Sequence, residues 1–208
     1  MTPDPANQWR GTSPAERADE RRQRLVSACL EIVGSDGSAG LGVRAVCRAA
    51  NVSHRYFYEL FPDTDALLLA AYQQAVHELL AAVGSALAGG GSQIRGQLHA
   101  AFGAATAFLE DNPVYGRLIF QEALAHEALR QHAAPALPTF LLTVRELAEP
   151  GRDKRIRPLE TALISGGLAA IFIEWLSGTA EFTRTELVDY CTDAMMAVLF
   201  IDRDKRGS

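Results

Sequence analysis

Apolar side chains recur at three- and four-residue intervals through every long segment of this chain, and no segment reads as a strand ladder. Leu25, Ala28, Cys29, Ile32 and Val33 form one such stripe, and Leu68, Tyr72, Ala75, Val76, Leu79 and Val83 form another. A broader face carries Ile94, Leu98, Ala101, Phe102, Ala105, Phe108 and Leu109. Segments patterned in this way bury their stripes helix on helix. The expected fold class is therefore all-α, with about nine helices.

Local chemistry marks where those helices begin and end. Ser13-Pro14-Ala15-Glu16 sets a cap, a first-turn proline and a capping-box glutamate in register, and Gly34 and Gly37 end the helix near Ser35. A short helix is expected from Val43 to Ala49, then a turn at Ala50-Asn51-Val52, then a second short helix from its cap Ser53 to the region of Leu60. Pro62 breaks the run, and Asp63 or Thr64 caps a helix that dies in Gly89-Gly90-Gly91. Asp111-Asn112-Pro113 separates the broad-faced helix from a shorter one between Val114 and Leu124. Pro135 and Pro138 leave the middle open: a helix ending near Ala133 and another from Pro135 to Glu149, or one kinked helix. Residues 149–155 read as a charged loop. Two longer helices follow, Ile156–Ser177 and Glu186–Asp202, the second opened by a capping box at Thr183 and Glu186. Residues 1–12, polar and proline-rich, read as a disordered arm.

Composition narrows the function classes. A chain of 208 residues, 48% apolar and 22% charged, is ordinary soluble globular material. Twenty basic against 25 acidic residues give a net charge of −5, which argues against coating nucleic acid over the whole surface but leaves room for a local patch. Residues 1–60 hold eight arginines and seven acids, net +1, whereas residues 61–208 hold 12 basic and 18 acidic groups, net −6. The less acidic amino-terminal part is the better place for a DNA reader. Cys29, Cys47 and Cys191 lack C-x-x-C spacing and read as buried small side chains rather than a disulfide framework or zinc site. No signal core opens the chain and no run of 18 apolar residues occurs, so a cytoplasmic protein without a membrane partner is expected. There is no G-x-G-x-x-G, G-x-S-x-G or H-E-x-x-H, and His126-Glu127 lacks a second histidine four residues on. No catalysis, cofactor or metal is expected.

Two short helices joined by a three- or four-residue turn, preceded by a longer helix, make up helix-turn-helix arithmetic. Within it, Gly37 through Phe61, GSAGLGVRAVCRAANVSHRYFYELF, resembles the DNA-binding signature of the TetR family of bacterial transcriptional regulators. Val43, Arg44, Val46, Ala50, Val52, Ser53, Tyr58, Phe61 and Leu67 fall where that pattern expects them. Length and the helical remainder extend the resemblance, in architecture, to the whole chain. Gly42 stands where the family usually carries a threonine, Thr64 where a lysine is common, and Asn51 replaces the turn glycine. His54-Arg55-Tyr56 replaces a usual Lys-Gly-Thr, so no relative's operator transfers to this chain.

The resemblance implies a helix-turn-helix DNA-binding domain over residues 13–62 and a helical effector-binding and dimerisation domain over residues 63–204. It implies a ligand-responsive regulator, with a repressor as the leading form. Such a protein binds a palindromic double-stranded DNA operator as a homodimer and is released by a small, apolar effector. The alternative is a helical small-molecule-binding protein or enzyme that has lost specific DNA binding.

The expected DNA-binding set is Arg44, Ser53, His54, Arg55, Tyr56 and Tyr58. Ser53 caps the recognition helix, leaving its first N–H groups for a phosphate, and His54, Arg55 and Tyr56 occupy the turn that reaches base edges. Arg55 either pairs with guanine or remains a solvated charge. Tyr58 holds a phosphate or joins the core, and Arg44 holds a phosphate or pairs with a carboxylate. Phe57 and Phe61 read as core. Arg10, Arg17, Arg21 and Arg22 follow the DNA backbone, enter a minor groove or form a solvated arm.

In the larger domain, Phe102, Phe108, Phe120, Phe140, Phe172 and Trp175 supply more bulk than one bundle seam needs. They are expected to enclose an apolar effector cavity, although each alone also reads as core. Glu174 either faces solvent or is that cavity's lone charge. The expected dimer surface is one stripe with Leu163, Gly167 and Ala170 and another with Leu187, Cys191, Ala194, Met195 and Val198, meeting across a two-fold axis.

Overall fold

In the computed structural model, which describes residues 13–91, 93–133 and 158–199, α1 spans Pro14–Asp36 and starts as its local chemistry requires. The Glu16 N–H donates to Ser13 Oγ at 3.1 Å, and the Glu16 carboxylate accepts from the Ser13 N–H. The helix stops at Gly37, where φ is +73°, a backbone that L side chains avoid. A Cβ there would also lie 2.8 Å from the Arg117 guanidinium.

Two short helices follow. α2, Val43–Ala50, opens at Gly42 without a side-chain cap and closes on Asn51 in the left-handed region, φ 51° and ψ 49°. α3, His54–Leu60, is capped by Ser53, whose hydroxyl accepts from the Tyr56 N–H. Asp63 caps α4, Thr64–Gly89, by accepting from the Ala66 N–H at 2.8 Å. α5 covers Ile94–Asp111.

α6 begins as Pro113–Gly116, widens into a π-helical stretch over Arg117–Glu122 and closes as Ala123–Ala125. The sequence pattern does not anticipate that widening. Gly116 lets α6 approach the last turn of α8, since a Cβ there would lie 2.8 Å from a Leu176 methyl. α7 is Glu127–Ala133, α8 is Pro158–Leu176, and α9 is Arg184–Leu199, opened by the Thr183–Glu186 capping box. All regular structure among the described residues is helical. The expected arm, the helix from Pro135 and the loop at 149–155 lie outside the described residues.

Two cores form. The first joins Leu25, Cys29 and Val33 of α1, Val46 of α2, Phe57 of α3 and Leu67, Leu68 and Ala71 of α4, closed by Leu118 and Leu129. α3 has seven residues, too few to be stable alone, so the complete burial of Phe57 is what holds it in place. The second core joins Val83 and Leu87 of α4 to Leu98, Phe102 and Leu109 of α5, Phe172 of α8 and Leu187, Cys191 and Met195 of α9. The 26 residues of α4 extend roughly 39 Å at helical rise. Its first half belongs to one core and its second half to the other. α4 is long and apolar enough to pass for a membrane span, yet its buried residues are committed to these two cores.

Candidate DNA-binding head and ligand cavity

α3 presents its first turn outward. His54 and Arg55 are exposed, and the rings of Tyr56 and Tyr58 are 42% and 59% exposed. Phe57 and Phe61 point the other way, 0% and 3% exposed, as expected of core residues. Arg55 Nε donates to Glu59 Oε1 at 3.1 Å one turn on, with the arginine side chain almost fully solvated. An exposed pair of this spacing is worth about 0.3–0.5 kcal/mol, so it does not prevent Arg55 from turning to another partner. Arg44 and Ser53 are exposed on the same head.

Of the arginines expected along the DNA backbone or in a solvated arm, Arg21 and Arg22 have ring partners, Arg17 is exposed and Arg10 lies outside the described residues. The Arg21 guanidinium sits 4.4 Å from the centre of the Tyr56 ring, and that of Arg22 lies 4.8 Å from the Phe61 ring. Arg21 Nε is buried there without a hydrogen-bond partner. Arg21 therefore sets the ring of Tyr56 and adds positive charge beside the first turn of α3. The two residues are 35 positions apart, and no spacing rule connects them.

Between α4, α5, α6 and α8 lies a cavity of about 150 Å³. Of the residues expected around an effector, Phe102, Phe120 and Phe172 line it. Phe120 and Phe172 stack with their planes 4° apart and centroids at 5.4 Å, and Trp175 meets the edge of Phe172 at 6.1 Å from behind. Phe108 is not part of the lining; it packs against both cores and beside Tyr115. Glu174 is exposed and absent from the lining, which corrects its placement among the ligand-binding residues. Its helix turns the Phe172 face inward, which leaves Glu174, two residues on, directed away. Phe140 lies outside the described residues. The cavity's polar groups, Tyr72 of α4 and Ser165 of α8, were not anticipated, because tyrosine at helical spacing reads as one more apolar position.

The π stretch of α6 faces two ways. Ile119 and Phe120 line the cavity, while Arg117 and Glu122 reach the end of α1. Arg117 Nη1 donates to the Gly34 carbonyl at 3.2 Å, and Ser38 Oγ donates to Glu122 at 2.6 Å. Glu122 is buried and lies 3.4 Å from Arg117 Nε. The same turn thus touches the cavity and the helix that carries Arg21 and Arg22.

No family sequence model matches the chain, and no curated relative does. Solved structures do match. The multidrug binding protein EbrR, complexed with imidazole, superposes with a TM-score of 0.68 at 22% identity, covering 98% of this chain and 100% of its own. The transcriptional regulator FadR from Bacillus subtilis, in complex with stearoyl-CoA, gives 0.67 at 13% identity over 85% of this chain and 98% of its own. A TetR family transcription regulator from Marinobacter aquaeolei VT8 gives 0.62 at 18% identity over 88% and 97%. This chain has the TetR-regulator fold.

Within that TetR-type fold, the last two helices divide their residues differently from the sequence expectation. Leu187, Cys191 and Met195 are 1%, 1% and 2% exposed, packed inside the subunit in the second core. That corrects their assignment to a dimer surface, since side chains already buried have no area left to give a partner. Polar pairs bind the same helix to α5: Arg184 to Glu110 at 2.9 Å, His99 to Asp189 at 3.1 Å, and Arg95 to Asp193. Val198 is half-buried. What remains outward is Leu163, 71% exposed, with Gly167 and Ala170 on α8, and Tyr190 and Ala194 on α9.

Among the described residues no group of histidine, cysteine and carboxylate side chains is arranged to hold a metal ion. Burial pushes the Cys29 thiol up to about 12 and the Cys191 thiol up to about 11, away from any nucleophilic role near neutrality.

Proposed function

We propose that this protein is a ligand-responsive transcriptional regulator, a homodimeric repressor that binds a palindromic operator and is released by a small apolar effector. One observation carries the reading: α4 belongs at one end to the core that seats the recognition helix and forms, further along, a wall of the apolar cavity. The fold shared with EbrR, a multidrug binding protein, and with FadR bound to stearoyl-CoA supports a ligand-responsive role.

In this reading Ser53 and the amino terminus of α3 receive a phosphate. His54, Arg55 and Tyr56 approach base edges, and Arg44 and Tyr58 hold the DNA backbone. The head is residues 13–62, and residues 63–204 sense and dimerise. The outward face of α8 and α9, with Leu163, Ala170, Tyr190 and Ala194, meets its copy across a two-fold axis. That symmetry sets two heads against two half-sites. An effector that favours a head spacing unsuited to DNA lowers operator affinity by linkage, with couplings of about 1–3 kcal/mol typical. Arg117 and Glu122 provide the path, because the turn that bears them also bears Phe120. Such a regulator works in the cytoplasm, needs no cofactor and performs no catalysis.

Gly42 favours a second reading. It leaves α2 without a side-chain cap or a hydroxyl for a phosphate, as a helical ligand-binding protein that has lost specific DNA binding would show. Selection from a random duplex library followed by fluorescence anisotropy separates the two. A regulator selects a palindrome and binds it much more tightly than a scrambled duplex, with affinity falling steeply as salt rises. Equal, weak binding to both duplexes would favour the second reading.

A further inference from the structure

The cavity is specific about what it admits. Its described lining carries no carboxylate, amine, guanidinium or imidazole, and the expected charge, Glu174, lies outside it. A charged group seated against these described side chains would meet no counter-charge among them, which is costly. At about 150 Å³ the cavity has the scale at which an apolar protein pocket takes up one benzene-sized molecule. Two hydroxyls interrupt the hydrocarbon, Tyr72 from α4 and Ser165 from α8. Tyr72 is 4% exposed, and among the described residues its hydroxyl has no hydrogen-bond partner. Burial alone pushes that phenol above the ordinary tyrosine value, so it is present as the neutral O–H. A hydroxyl that lines the cavity with no partner among these residues is free to pair with a ligand there.

The geometry points to an uncharged ligand with the bulk of about one aromatic ring and a single hydrogen-bonding group that pairs with the Tyr72 hydroxyl. This deepens the effector reading above and rests on it for its biological sense, but not for its chemistry. Tyr72 also belongs to the core that seats the recognition helix, so the group that reads the ligand stands on the head's own packing.

Three probes differing only in one substituent test it: toluene, p-cresol and p-toluate, titrated calorimetrically at pH 7 into the full chain and into Tyr72→Phe and Ser165→Ala. Wild type is expected to bind p-cresol roughly three- to tenfold more tightly than toluene, the range a single net hydrogen bond supplies. It is expected not to bind p-toluate. Tyr72→Phe should remove the p-cresol advantage and leave toluene unchanged, so toluene also reports that the variant is folded. Ser165→Ala should keep the advantage.

Binding of p-toluate as tight as p-cresol, or an unchanged p-cresol to toluene ratio in Tyr72→Phe, would overturn the inference. So would loss of the ratio in Ser165→Ala alone, or a folded wild type that takes up none of the three. The regulator reading fails separately. If p-cresol binds through Tyr72 but leaves the affinity for a selected operator unchanged, the ligand assignment stands and the effector role falls.

Discussion

Ser38 Oγ donates a 2.6 Å hydrogen bond to Glu122, joining the turn after α1 to the π stretch of α6 across 84 positions of sequence. Glu122 is buried and also faces Arg117, whose guanidinium donates to the carbonyl of Gly34. Removing the serine hydroxyl leaves a buried carboxylate short of a donor. Ser38→Ala is therefore expected to lower stability by about 1–3 kcal/mol. Gly37→Ala, which adds a Cβ at φ +73° and ψ −177° against Arg117, should cost about 1–3 kcal/mol. Urea unfolding midpoints measure both, and unchanged midpoints would mean the junction is solvated and slack.

The exposed turn of α3 makes a different kind of prediction. Arg55→Ala with Tyr56→Ala should abolish discrimination between a selected operator and a scrambled duplex while leaving the melting temperature within a few degrees. The direct base contacts at stake are each worth about 1–3 kcal/mol. Tyr58→Phe should weaken both duplexes alike, because a phosphate contact carries no sequence information. Gel-shift titrations read both outcomes, and full operator selectivity in the double variant would remove α3 from the interface.

Gly42 has an extended backbone, φ −152° and ψ 145°, and nothing lies within 4 Å of where a Cβ would stand. Gly42→Thr should therefore fit, cap α2 and reduce the freedom of the unfolded chain. A gain of a few tenths to about 1 kcal/mol is expected. The added hydroxyl should also tighten DNA binding irrespective of sequence. A lower melting temperature in differential scanning calorimetry would contradict the open geometry.

Leu163 and Ala194 are exposed on the subunit, so Leu163→Arg and Ala194→Arg should leave its fold intact. Pressed against a two-fold axis, however, each would bury like charges. Sedimentation equilibrium should show a wild-type dimer at micromolar concentration and monomeric variants. A monomeric wild type, or dimeric variants, would refute the α8–α9 face as the interface.

The thiols of Cys29 and Cys191 are raised from an ordinary 9.0 to about 12 and about 11 by burial. A group whose pKa is higher folded than unfolded gives stability that is complete below the unfolded value and lost as pH rises through the folded one. Stability should thus fall between about pH 9 and pH 11–12. At pH 8 the native protein should leave Ellman's reagent unreacted, whereas the denatured chain should yield all three thiols. Rapid reaction of the native form would show that these helices open readily.

Helix starts and stops were legible because they are set by chemistry a few residues long. Ser13 with Glu16, Ser53 and Thr183 with Glu186 cap the helices they were expected to cap, Asp63 rather than Thr64 caps α4, and Asn51 takes the left-handed turn. The burial of Phe57 and Phe61 followed from a helix too short to stand without them. The same local rules gave no warning of the π stretch in α6, whose neighbours come from α1 and α8.

By itself, then, the sequence determined the helical periods, their caps and the helix-turn-helix, all of which depend on residues within about one or two turns of each other. Which element would cover each apolar face was decided only in three dimensions. Leu187, Cys191 and Met195 make a stripe that suits a partner subunit or α5 equally well, and α5 takes it, leaving Leu163 and Ala194 outside. Phe102, Phe120 and Phe172 are no different in sequence from Phe108, yet they alone among these four reach the cavity. Arg21 over Tyr56 and Ser38 on Glu122 belong to the same class. A helical period specifies the direction a side chain takes from its own axis. It carries no information about which distant segment lies there, because that choice is made by the packing of the whole chain at once.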